Sequence, residues 1–238
     1  MKLTTIAILM VFILGCGKSS TNGMNKTDIP QIDPPTDQLT YLAMGDSYTI
    51  GEAVKQAESF PYQLRENLNK QSLHFSAPKI VATTGWTAGE LIAGIKGETF
   101  LPEYDLVTLL IGVNDQYRGY SIAAYRKEFI ALLKTAVIFA GGNAAHVFVV
   151  SIPDWGATPY GAQSGRNVKV IAKEIDAFNA VNKEESLKSG ISYTDITPGS
   201  RNAATDIALV ASDGLHPSGK MYKEWADHLS PSVIKVFK

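Results

Sequence analysis

From Leu39 to the C-terminus, short apolar runs alternate with amphipathic stretches, and this alternation constrains the fold more than any other feature of the chain. Runs at residues 39–44, 79–83, 106–111, 146–152 and 191–196 are near-continuously apolar, as strands buried on both faces are. Residues 59–71 carry Phe60, Leu64 and Leu68 at helical spacing, with Pro61 in the first turn. Thr87 stands where it can cap a short helix over 88–95. Residues 121–140 place Ile122, Tyr125, Phe129, Leu132, Leu133 and Ala136 on one side, and Gly141-Gly142 ends that helix. A longer helix is expected over 164–188, closed by Gly190, and a last one over 218–229, with continuation past Pro231 left open. Apolar strands separated by amphipathic helices predict an α/β fold: a three-layer α/β/α sandwich with a five-stranded parallel sheet, doubly wound by right-handed crossovers.

Composition narrows the partners. The 238 residues are 45% hydrophobic, enough for one sizeable domain, and the net charge is -1 with scattered basic residues. Nothing in this points to a polyanion partner such as nucleic acid. The sole cysteine, Cys16, rules out an internal disulfide. It follows Lys2, an apolar run over 6–14, and Gly15, a pattern of basic start, short apolar core and small residue that marks an export signal. Ile13-Leu14-Gly15-Cys16 also resembles the bacterial lipobox, in which the cysteine becomes the lipidated first residue of the mature protein. The expected organisation is therefore a lipoprotein signal peptide over 1–15, a lipidated Cys16 with a polar tether over 16–38, and one domain over 39–238, held at the bacterial cell envelope. An ordinary signal with a chance cysteine is the alternative. Gly17-Lys18-Ser19 resembles the end of a phosphate-binding loop, but Phe12 occupies the position where that loop needs its first glycine.

In open parallel sheets, ligands bind at the carboxyl ends of strands. The segments following the expected strands there are Gly45-Asp46-Ser47, Thr84-Gly85-Trp86-Thr87 and Gly112-Val113-Asn114-Asp115, and Asp213-Gly214-Leu215-His216 precedes the last helix. They supply a hydroxyl, a glycine backbone, a carboxamide, a carboxylate and an imidazole. Acyl transfer needs this set: a nucleophile, a base for its proton, a group to orient the base, and donors for a developing oxyanion. Each residue also has a purely structural reading, with Ser47 as a helix cap, Asn114 as a turn residue, Gly85 as a steric necessity and Asp213 as a helix-entry carboxylate. Asp46 and Asp115 are expected to fix loop backbone by local hydrogen bonds. Trp86, Tyr117 and Trp155 follow strands and could line an acyl or sugar pocket, or simply pack. No metal-ligand spacing occurs, and no cofactor is expected.

The four blocks resemble the SGNH hydrolases, or GDSL esterase/lipase family, named for a serine, glycine, asparagine and histidine in such segments. The resemblance covers roughly residues 39–230, with Tyr48 standing where the family name has leucine. It implies a flavodoxin-like sandwich and a serine esterase that cleaves carboxylic esters through an acyl-enzyme. Ser47 would be the nucleophile, His216 the base and Asp213 its partner, and the Ser47 and Gly85 amides with the Asn114 side chain would form the oxyanion hole. Lysophospholipids, short-chain, aryl and thioesters, and acetylated sugars all remain open as substrates. So does a silent lipoprotein that only binds a glycan or lipid. An α/β-hydrolase would expect Gly-x-Ser-x-Gly, but position 49 is Thr.

Overall fold

A computed structural model describes residues 38–238, so the expected signal, tether and Cys16 lie outside the described residues except for Gln38. The sheet comprises β1 (Tyr41–Gly45), β2 (Lys79–Ala82), β3 (Leu106–Leu110), β4 (Val147–Val150) and β5 (Ser192–Thr194). All pairings are parallel, in the order β2-β1-β3-β4-β5. The order reverses between β1 and β3, which is where a doubly wound sheet opens a crevice at its carboxyl edge.

The helices of the two outer layers follow the expected spacing. Helix α2 (Phe60–Lys70) packs on the last helix, α9 (Gly219–Phe237), while α3 (Ala88–Ile95) and α7 (Val168–Lys188) flank α5 (Ile122–Phe139). Every residue of β1, β3 and β4 is buried, so truncating one of their large side chains, such as Leu109→Ala, would cost about 2–5 kcal/mol.

The helices differ from expectation ahead of α7, and the open continuation past Pro231 is resolved. Gly165 adopts a left-handed conformation (φ 75°) and Asn167 caps the next helix, so α7 begins at Val168 rather than Ser164. Ahead of it lies a separate short helix, α6 (Pro159–Gln163). The last helix runs through Pro231 to Phe237, the proline breaking one rung of the hydrogen-bond ladder without ending it. Short turns at α1 (Ser47–Ile50), α4 (Val113–Tyr117) and α8 (Thr197–Ser200) are too brief to give a hydrophobic period. Two of these, α1 and α4, carry Ser47 and Asn114.

Candidate active site

Strand β1 must end in glycine. A methyl group at Gly45 would collide with the Leu110 carbonyl on β3 and with the Thr49 hydroxyl. Asp46 then caps the single turn of α1, its Oδ1 accepting from the Tyr48 amide at 3.0 Å, and Gly51 closes the turn in a left-handed conformation. Ser47 occupies the first position of α1, where an amide has no acceptor within the helix. Among the described residues its N–H has no acceptor, which leaves it available to a ligand.

The next two segments are clamped to each other. Thr87 and Glu90 form a capping box at the start of α3, Thr87 Oγ1 accepting from the Glu90 amide at 3.2 Å and Glu90 Oε2 from the Thr87 amide at 2.9 Å. Helix α4 and the arginine that follows it grip this segment at three points. Asn114 Nδ2 donates to the Trp86 carbonyl (2.9 Å), the Ala88 amide donates to Asp115 Oδ2 (2.9 Å), and Arg118 Nη2 donates to the Gly85 carbonyl (2.6 Å). Arg118 also donates to Glu90 Oε1 at 2.9 Å. An asparagine amide has two hydrogens; the Trp86 carbonyl takes one and so orients the other. Gly85 sits at φ 85°, a conformation that costs any residue with a side chain roughly 1–2 kcal/mol.

Asp46 and Asp115 are fully buried, and among the described residues each has one carboxyl oxygen without a hydrogen-bond partner. Burial pushes Asp46 up to about 8, partly opposed by the Tyr48 amide and reinforced by Asp115. Burial likewise raises Asp115 to about 7 against the Ala88 amide, with Glu128 adding to the rise. Asp46 bonds locally, as expected, whereas Asp115 reaches 27 residues back to join two loops.

The base side is built differently. Asp213 Oδ1 accepts from the amides of Leu215 (2.9 Å) and His216 (3.0 Å), and Oδ2 meets His216 Nδ1 at 2.5 Å. Burial acts to raise the Asp213 carboxyl, but the His216 ring and these amides outweigh it and hold the group below its ordinary value. Gly214, at φ 74°, makes the tight reversal possible. The loop is closed by the Ala211 amide donating to the His216 carbonyl (2.8 Å) and docked by the Tyr160 amide donating to the Gly214 carbonyl (2.9 Å). The His216 ring lies edge-on to Tyr48, 5.6 Å between centres.

Ser47, Gly85, Asn114 and His216 open onto one cavity of about 190 Å³, walled by Val113, Tyr117, Trp155, Tyr160 and Leu215. Ser47 and His216 face it without a hydrogen bond between them among the described residues. In unliganded sites such contacts tighten when substrate arrives. Trp86, a candidate for the pocket, is elsewhere: its ring lies against Gly94, and only its carbonyl serves the site. Arg118 and Tyr160 fall in the loops 116–120 and 154–165 expected to build the pocket, but neither is singled out by the sequence. Arg118 lies four residues after Asn114, on the same side of the α4 turn, a relation visible only once that turn is recognised as helical.

A parallel sheet in this order, with Ser47, Gly85, Asn114 and His216 opening on one cavity at the switch point, defines a protein of the three-layer α/β/α class. The chain belongs to the GDSL-like lipase/acylhydrolase family, which it matches over residues 43–224. It is therefore an ester-cleaving hydrolase in the broad sense of that family. No curated protein matches its sequence. Solved structures share the fold at low identity. A lipase from a goat rumen metagenome is 17% identical with a TM-score of 0.64, over 82% of this chain and 97% of that one. Axe2, an acetylxylan esterase from Geobacillus stearothermophilus, is 16% identical with a TM-score of 0.62, over 82% and 94%. The psychrotrophic esterase EstA from Pseudoalteromonas sp. is 19% identical with a TM-score of 0.59, over 83% and 98%.

Proposed function

We propose that the protein is a serine esterase for carboxylic esters with short acyl groups. Ser47 Oγ attacks the ester carbonyl while His216 Nε2 takes its proton. The tetrahedral oxyanion accepts from the Ser47 and Gly85 amides and from the second hydrogen of Asn114 Nδ2. The imidazolium returns the proton to the departing alcohol, leaving an acyl-Ser47 ester. Water, deprotonated by His216, then attacks this ester, and the imidazolium returns that proton to Ser47 Oγ as the acid is released. Asp213 holds the ring by its other nitrogen and stabilises the imidazolium, which needs no proton transfer to the carboxylate.

One observation carries this reading: the Asp213–His216 pair and Ser47, Gly85 and Asn114 meet at a single cavity although they are scattered along the chain. The small volume of that cavity favours acetyl or similarly short acyl groups over the long chains of a lysophospholipid. In Ser47→Ala, turnover of 4-nitrophenyl acetate should fall by roughly 10⁶-fold while the fold is retained. A phosphonate ester should label Ser47 in the native protein, read by peptide mass spectrometry. Near-normal turnover by the variant would remove Ser47 from the mechanism, and absence of turnover on every short ester would favour a silent binding protein.

The signal-like pattern of residues 1–15 and the position of Cys16 support attachment of this domain to the bacterial envelope by a lipid on Cys16. Incorporation of an alkyne-tagged fatty acid that is lost in Cys16→Ala is the expected result.

A further inference from the structure

Next to the catalytic cavity lies a second one of about 330 Å³, with Gln116, Tyr120, Arg166 and Glu174 in its walls. A partition separates the two. Tyr117 lines the first cavity and Gln116 the second. The Arg166 guanidinium lies behind both Tyr117 and Trp155, 6.0 and 5.4 Å from their ring centres. Hydrogen bonds run through the partition from one cavity to the other. Trp155 Nε1 donates to Gln116 Oε1 (2.8 Å), and Gln116 Nε2 (2.6 Å) and Arg166 Nη2 (2.8 Å) both donate to Glu174 Oε2. Among the described residues, the exposed large hydrophobic side chains include three aromatics, Tyr117, Tyr120 and Tyr160, at 47%, 44% and 40% exposure. All three border these two cavities.

We infer that the second cavity is a subsite for a neighbouring pyranose ring of an O-acylated oligosaccharide whose acylated ring lies over Ser47. This rests on the esterase reading of Ser47. The smaller cavity takes the acyl group, and the larger alcohol portion of the ester extends across Tyr117. Exposed tyrosine rings offer an apolar face with a polar tip, which matches the alternating C–H faces and hydroxyl edges of a sugar. Arg166 and Glu174 add planar donors and acceptors with no net charge, suited to a neutral, hydroxyl-rich ligand. A lipid tail there would desolvate two ionised groups, and a phosphate headgroup would meet the Glu174 carboxylate.

The test compares kcat/KM on O-acetylated xylotriose, cellotriose and mannotriose with that on the corresponding acetylated monosaccharides. At least one trisaccharide should exceed its monosaccharide by about tenfold or more, mainly through KM. That ratio should collapse toward unity in Tyr120→Ala and be kept in Tyr120→Phe, which retains the ring. Calorimetry of the whole protein with the unacetylated trisaccharides reads the subsite without any turnover. If 4-nitrophenyl acetate is cleaved through Ser47 but no trisaccharide has an advantage, the subsite is overturned and the esterase reading stands. If no ester is cleaved yet a trisaccharide binds and Tyr120→Ala abolishes the binding, the subsite stands and the esterase reading falls. A preference for palmitoyl lysophospholipid over every acetylated sugar would also overturn the subsite.

Discussion

The two sides of the cavity are held in place by opposite means. On the oxyanion side, Ser47, Gly85 and Asn114 come from the ends of three neighbouring strands. The Gly85 segment is bound to α4 and Arg118 by the Asn114–Trp86, Asp115–Ala88 and Arg118–Gly85 hydrogen bonds. On the base side, four consecutive residues contain the whole Asp213–His216 pair, and that loop is braced mostly from within, with the Tyr160 amide docking it from outside. One side is a lattice spread over long sequence separations, and the other is a local motif. Damage to the lattice should therefore spread between its members, whereas damage to the loop should stay where it is made.

The largest effect tests the local side. Asp213→Asn should lower kcat by about 10⁴-fold with little change in melting temperature, because the ring loses its orienting carboxylate while the sheet is untouched. A loss below tenfold would show that the loop holds His216 without its acid. Asn114→Ala should follow, with kcat falling about 10²- to 10³-fold as one oxyanion donor disappears.

Arg118→Ala, which removes no donor, should lower kcat by roughly 10- to 100-fold at nearly constant KM, since a displaced Gly85 amide is felt in the transition state more than in the bound substrate. The comparison sharpens in double variants. Arg118→Ala combined with Asn114→Ala should cost less than the sum of the two, because both act on the same segment, whereas its combination with Asp213→Asn should be additive. Additivity in both cases would dissolve the distinction between lattice and loop.

The smallest effect on turnover, read instead as stability, concerns Asp115. Its folded-state value of about 7 lies above the ordinary carboxylate value near 3.9, so the folded chain keeps a proton that the unfolded chain gives up. Stability should therefore fall as pH rises from about 4 to 7. Asp115→Asn keeps an acceptor for the Ala88 amide but cannot titrate, so its urea midpoint should change less between pH 5 and pH 8 than that of the native protein. Equal changes would mean that the buried carboxyl does not titrate in this window.

The same contrast governs what could be read beforehand. Strands buried on both faces carry their signal in consecutive residues, so the five-stranded sheet was legible from residues 39–44 onward. The Thr87 cap was legible from its place at the head of the 88–95 stretch, though not its Glu90 partner, and the Asp213–His216 pair because both sit in one short loop. Helix α7 starts four residues after the expected Ser164 because Gly165 turns left-handed and Asn167 takes the cap, which the spacing of apolar residues does not reveal. The turn at α4 gave no period, so the reach of Arg118 to Gly85 and of Asp115 to Ala88 went unseen. Cavity shape was beyond reach for the same reason: Tyr160 and Tyr117, whose hydroxyls lie 3.0 Å apart, belong to segments 43 residues apart.

At Gly45 the main chains of β1 and β3 come into direct contact. Ser47 follows that point by two residues, and Asn114 follows Leu110 by four. The approach of nucleophile and carboxamide is thus gauged by backbone against backbone, with the Thr49 side chain packed on the same point. Substitutions in the outer helical layers can loosen or refill the interior without resetting that approach. The rim loops that choose the substrate are then free to diverge around an unchanging reaction geometry.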